Sequence, residues 1–345
     1  MNKKLIALAV AAASVAPAAM AQTANPVTLY GRLFLSMESV EAKGGATPVP
    51  RRNRIGDQSS LFGIRGTEDL GGGLKVFFQM ETAFRPDQND TTFAARNSGV
   101  GLQGSFGSVL WGRWDNPYKV IGYAIDPWVD NTIGGITGAV HDQGNFDRRD
   151  QNQIQYWTPN FAGLSARVGY GTNENKSATA NPSTLSANLV YSKGGFYGAL
   201  GYEKHSDLVG ATPTSGAEEE GFTYAASYRL GPVRLQGMYE EIQKTNRADQ
   251  KAYLLALTYF AGKHEFIVHT QNSKDGGLSS ATTQPECDLW GVGYKMNFTK
   301  RTFLWTQYVK VDNNNAATCN FGTNRLAITA GQDPQGVALG IHHVF

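Results

Sequence analysis

From Val27 to Phe345 the chain alternates apolar and polar side chains with a period of two, segment after segment. Val27, Leu29, Gly31, Leu33 and Leu35 interleave with Thr28, Tyr30, Arg32, Phe34 and Ser36. Leu74, Val76, Phe78 and Met80 interleave with Lys75, Phe77, Gln79 and Glu81. The same pattern recurs over Leu164–Tyr170, Phe222–Arg229 and Val233–Glu240. Successive strand residues point to opposite faces, so each segment is a strand with one apolar and one wet face. Helical periodicity is nearly absent.

The connections alternate in length. Gly71-Gly72-Gly73, Gly104–Gly107, Thr158–Gly163, Gly194-Gly195, Gly231-Pro232, Ala261-Gly262 and Thr299-Lys300 carry turn chemistry. The others are long and polar, at about 39–50, 86–92, 115–147, 174–183, 207–220, 244–249, 274–286 and 312–335. A meander with short turns on one rim and long loops on the other is the signature of a transmembrane barrel, and counting strands between connections gives about sixteen. A soluble exported β-sandwich is the alternative. No run after residue 22 reaches the ~20 apolar residues of a membrane-spanning helix. The mean hydropathy of −0.34 fits a barrel, where every second residue faces water.

The N-terminus reads as a secretory leader. Lys3 and Lys4 precede an apolar run from Leu5 to Val15, and Ala19-Met20-Ala21 fits the small-x-small cleavage rule. Cleavage after Ala21 leaves one domain, residues 22–345. The chain has 31 basic and 29 acidic residues; losing two lysines makes it neutral, which argues against nucleic acid as a partner. Cys287 and Cys319 are candidates for a disulfide in an oxidising compartment, with two separate thiols the alternative. The six histidines sit in no nucleophile or metal-ligand motif, and the glycines read as turns, so no enzyme, metal or cofactor is expected.

The segment Asp115–Asp147 is too apolar for a solvated loop: it holds Val120, Ile121, Tyr123, Ile125, Trp128, Ile133 and Ile136. It is expected to pack against the lumen wall and to present Asp115, Asp126, Asp130, Asp142 and Asp147 to the pore. Tyr118, Tyr123 and Trp128 either anchor this segment or form an aromatic path for one solute class, the mark of a substrate-specific channel. With the apolar face toward lipid, Arg32, Lys75, Arg85, Arg149, Arg167, Glu38 and Glu81 point inward. A basic wall facing an acidic loop predicts a weak preference for anions. The final strand, Gly336–Phe345, sets Val337, Leu339, Ile341 and Phe345 on one face, a strand fit for the lipid-facing seam of a closed barrel.

Leu61-Phe-Gly-Ile-Arg-Gly-Thr-Glu-Asp-Leu-Gly-Gly-Gly-Leu-Lys-Val76 resembles the signature of the general porins of Gram-negative bacteria, in the β-proteobacterial branch. Val27–Gly31, Val100–Leu102, Gly112-Arg113, Tyr156–Gly163, Ser192-Lys193 and His343–Phe345 match as well. The resemblance spans Gln22 to Phe345. It implies a sixteen-stranded outer-membrane barrel, a homotrimer, a third loop folded into the lumen, and passive diffusion of ions and small hydrophilic solutes. It also implies that a terminal aromatic such as Phe345 is read by the barrel-assembly machinery. Arg149, ten residues before Pro159, falls where the family places a wall arginine. Leu61 and Ala95 stand where some relatives have arginine. Of Arg32, Arg54 and Arg96 as substitutes, parity clearly favours only Arg32. Gly31 on the first strand is a candidate trimer contact, and residues 86–92 a candidate arm toward a neighbour.

Overall fold

The computed structural model describes residues 27–88, 90–128, 131–140, 146–172, 174–210, 212–245, 247–274 and 283–345. The expected leader, Asp130 and Asp142 lie outside the described residues. The strands in chain order are β1 (Thr28–Gly44), β2 (Val49–Asp57), β3 (Leu61–Gly71), β4 (Leu74–Arg85), β5 (Asp90–Thr92) and β6 (Ser98–Gly104). Then come β7 (Gly107–Asp115), β8 (Arg149–Trp157), β9 (Leu164–Thr172), β10 (Ser183–Lys193), β11 (Phe196–Val209) and β12 (Thr212–Leu230). The last six are β13 (Val233–Gln243), β14 (Gln250–Ala261), β15 (His264–Lys274), β16 (Glu286–Asn297), β17 (Thr302–Asn313) and β18 (Gln332–Val344).

All pairings are antiparallel, and β18 returns to β1 from Arg32↔Val344 to Gly44↔Gln332, closing the sheet. The described residues make sixteen barrel staves, because two staves are broken. Both β2 and β3 lie against β1, and both β5 and β6 lie against β4. The first break turns at Ser59, whose φ is 70°. The Asp57 carboxylate holds it by accepting the backbone N–H groups of Ser59 and Ser60 at 3.0 Å each.

One face of the wall is apolar and uncovered: Met37, Leu235 and Leu255 are 65, 56 and 56% exposed. In water such a surface would not stay single; around a barrel it is the lipid face. Aromatics gather near the short turns, among them Phe106, Phe161, Phe196, Tyr228, Tyr259 and Phe298. A second set, including Tyr202 packed on Phe222 and Trp290 packed on Tyr308, sits toward the other rim. Two such girdles mark the edges of a bilayer.

The seam matches the sequence pattern. Gly31 and Phe345 exchange backbone hydrogen bonds of 3.3 and 3.0 Å. The Phe345 ring occupies the space over Gly31, where a Cβ would meet Cζ at 2.5 Å. Gly31 is therefore covered by its own chain's last residue.

Two expected loops are largely strand. Residues 39–50 continue β1 to Gly44 and begin β2 at Val49, and 207–220 form the far end of the β11–β12 hairpin. Hairpins that rise past the bilayer are wet on both faces, so they lose the apolar alternation and read as loops. The segments at 115–147 and 312–335 are true insertions, and Cys319 of the latter is bonded to Cys287 on β16.

Candidate functional site

The insertion after β7 turns into the barrel because its side chains are apolar and the wall behind it is prepared. Helix α1 (Lys119–Ile125) buries Ile121 and Ile125 in one cluster with Ala199, Ala225, Met238 and Leu254. Trp128 and Ile133 join Phe34, Ile267, Leu289 and Trp305 in another. Inward polar residues of the wall satisfy the segment's backbone, as buried peptide groups require. The Ser186 hydroxyl accepts the Tyr118 N–H at 3.0 Å, Gln236 donates to the Ile125 carbonyl at 2.7 Å, and Gln271 to those of Gly134 and Gly135 at 3.2 Å each. Lys295 donates to the Pro127 carbonyl at 2.5 Å and lies over the Trp128 ring.

Tyr118 and Trp128 are fully buried, so they anchor the segment and present no aromatic path. Burial and the Glu240 carboxylate hold the Tyr118 hydroxyl well above its ordinary pKa. Tyr123 is half-buried and lies under the Lys119 ammonium.

Of the segment's three described acids, Asp115 and Asp126 are spent before they reach the pore. Asp115 is buried, 2.8 Å from Arg149 and 3.6 Å from Lys119. Asp126 accepts the backbone N–H groups of Trp128 and Ile136 at 2.7 and 3.0 Å. Asp147 meets Lys119 at 3.1 Å. Burial alone would lower the Lys119 pKa, but Asp147, Tyr123 and Asp115 outweigh it and raise it, so the ammonium stays charged at neutral pH.

Between the segment and the β2–β6 wall lies an opening of about 570 Å³. Arg85, Arg96 and Arg325 line it as cations, and Asp57 and Asp147 as acids. Arg32 is one contact away, donating to the carbonyl of Ser59, which also lines the opening, at 2.9 Å. Glu81 stands behind Arg96 at 2.7 Å and accepts the Tyr30 hydroxyl at 3.0 Å. Glu38, buried, accepts from Arg54 at 2.7 Å, Gln58 at 2.7 Å, Ser36 at 2.9 Å and Asn324 at 3.0 Å. Removing a buried carboxylate that serves this many donors costs on the order of 3 kcal/mol. The Glu38→Ala protein is therefore expected to unfold at clearly lower urea than wild type, and an unchanged midpoint would contradict the role given to this cluster.

The sequence-selected bases divide. Arg149 sits at the root of the segment, donating to Asn97 at 2.9 Å, and does not line the opening. Strict alternation would set Arg149 on one inward face with Gln151, Gln153 and Gln155, but Asn152 at φ 52° inserts a bulge in β8 and leaves Gln151 exposed. Lys75 stands at the short-turn end opposite Asp69 and Gln103. Arg167 stacks on Trp157 at 4.8 Å, also apart from the opening. Arg54 and Arg96, set aside on parity, do turn inward. The break at Ser59 shifts the phase of β2 against β3 by one residue, and Arg96 lies in the irregular step between β5 and β6. Arg325, in the insertion before β18, had no sequence signal beyond its charge.

A family model described as Gram-negative porin matches residues 7–316. The chain belongs to the Gram-negative porin family. This porin is 31% identical over 372 residues to outer membrane porin protein 32 of Delftia acidovorans, with all of both chains covered. Its fold is similar to a structure titled an anion-selective porin from Comamonas acidovorans, with 26% identity, a TM-score of 0.78, and 93% of this chain and 100% of that one covered. It is also similar to the in-vitro folded OmpT of Vibrio cholerae in its trimer form, with 19% identity, a TM-score of 0.71, and 93 and 100% covered. The porin is an outer-membrane protein, and its wet, incompletely filled barrel is a channel for passive diffusion.

Proposed function

We propose that this porin passes small hydrophilic anions in preference to cations. The observation that carries this reading is the opening itself, which three arginines and two aspartates line. Two described acids of the inward segment are turned to other work: Asp126 to its own segment's backbone, Asp115 to Arg149. At such a constriction the local field of lining charges sets which ion enters. The similar Comamonas structure, named for anion selectivity, supports the same direction. Burial of Tyr118 and Trp128 favours a general pore over a path for one solute class. In planar bilayers under a tenfold KCl gradient, the reversal potential is expected to give a chloride permeability above that of potassium. A ratio at or below one would overturn the reading, and current that saturates with one solute class would replace the general pore.

The porin is also read as a homotrimer, in line with the OmpT trimer form. Residues 1–21 are read as removed on export, and Phe345 as the mark that the barrel-assembly machinery recognises. Mass spectrometry of the outer-membrane protein would give Gln22 as its first residue.

A further inference from the structure

The barrel holds a second inward segment, residues 314–331 between β17 and β18, and it completes the opening. Its backbone meets that of the first segment directly. Gly322 donates to the Ile133 carbonyl at 3.0 Å, and the Thr137 hydroxyl donates to the Gly322 carbonyl at 2.7 Å. The approach is close enough to need glycine: a Cβ at Gly322 would stand 2.7 Å from the Thr132 carbonyl oxygen. Phe321 and Leu326 are buried in the cluster that holds Trp128 and Ile133. On the other side Asn324 reaches the wall, donating to Glu38 at 3.0 Å and to the Asp57 carbonyl at 3.1 Å, while its own carbonyl accepts from Arg54.

Arg325 follows in this bridge between first segment and wall. One guanidinium nitrogen donates to the Thr137 carbonyl at 2.8 Å, and the residue lines the opening with Arg85 and Arg96. Six residues earlier, Cys319 is bonded to Cys287 on β16, and Cys287 is fully buried in the wall. The bridge closes a sequence separation of 32 residues. A crosslink of this kind reduces the conformations open to the segment when it lifts away, and so favours the docked position.

We infer that Arg325 is a selectivity-determining residue of the constriction, delivered by the segment 314–331 and kept there by the Cys287–Cys319 bridge. The inference deepens the anion-preference reading. It predicts a difference between proteins, so a wild-type channel without preference would overturn that reading while the difference still tests Arg325.

The test is the chloride-to-potassium permeability ratio of single channels. Arg325→Ala is expected to lower the ratio at least threefold with the bridge intact; an unchanged ratio overturns the role of Arg325. Dithiothreitol supplies the second arm. Its two thiols give two electrons and two protons to the Sγ–Sγ bond, leaving two cysteine thiols and a cyclic disulfide. Cys319 lines an open cavity of about 460 Å³, which gives the reagent access. Once thiol titration counts two thiols per chain, the wild-type ratio is expected to fall toward that of Arg325→Ala and the current to become noisier. The Arg325→Ala channel is expected to keep its ratio on reduction. A fully reduced wild type with its original ratio would show that the bridge does not hold the arginine. Where the bridge resists reduction, the Cys287→Ser/Cys319→Ser protein answers the same question, and a wild-type ratio there likewise overturns the role of the bridge.

Discussion

Replacing Arg85 and Arg325 together by glutamate is expected to turn the channel from anion- to cation-preferring. Both side chains line the opening, where the only other charged lining residues among those described are Arg96, Asp57 and Asp147. The swap leaves one cation against four carboxylates. A unit charge about 7 Å from an ion's path contributes roughly 0.6 kcal/mol in a water-like dielectric. Each reversal moves anion and cation energies in opposite directions, so two reversals separate them by about 5 kcal/mol before screening. Physiological salt, with a Debye length of about 8 Å, leaves roughly 2 kcal/mol. That corresponds to a change of about thirtyfold in permeability ratio, measured as a change of sign in reversal potential. A double variant that stays anion-preferring would mean that the current does not run past these residues. The paired control, Lys75→Glu/Arg167→Glu, alters bases that do not line the opening and is expected to shift the ratio far less.

The second large effect lies at the seam. Phe345→Asp is expected to cut the yield of folded barrel in the outer membrane at least tenfold. The cost is more than side-chain transfer, since an aspartate near the bilayer edge costs only about 0–1 kcal/mol. The ring of Phe345 fills the groove over Gly31, and its backbone makes the last pair of hydrogen bonds between β18 and β1. A carboxylate there would leave Gly31 uncovered and draw water to the pair that completes closure. The readout is the heat-modifiable band of the outer-membrane fraction on a denaturing gel. Phe345→Tyr keeps the ring and is expected to assemble normally. Equal yields of the Asp and wild-type proteins would remove Phe345 from both seam and assembly.

What the sequence made legible follows from period two. Leu29, Leu33 and Met37 declare one face and Phe34, Ser36 and Glu38 the other, and the structure keeps them apart. The apolar content of residues 120–136 likewise required a wall to pack against, and Ile121, Ile125 and Trp128 found one. Parity, however, does not survive a break. The turn at Ser59 and the bulge at Asn152 each add one residue to a stave. That hid Arg54 and undermined the reason for turning Arg149 inward. Acid counting failed differently. Asp126 looked like a pore charge, whereas the exposed N–H groups of its own segment bind it first. Arg325 depended on a loop docking against another loop, a contact between Gly322 and Thr132 that no local pattern encodes.

The first inward segment also has a mechanical side. A thin-walled tube flattens easily when squeezed from one side, and a tube with a chord fixed across it does not. Between Tyr118 and Gly135 the segment is tied in turn to Ser186 on β10, Gln236 on β13, Gln271 on β15 and Lys295 on β16. The second segment continues the chord to Glu38 on β1. Flattening the cross-section would have to break these ties along its whole width. The same residues that narrow the passage therefore keep its outline steady while the surrounding membrane presses on it.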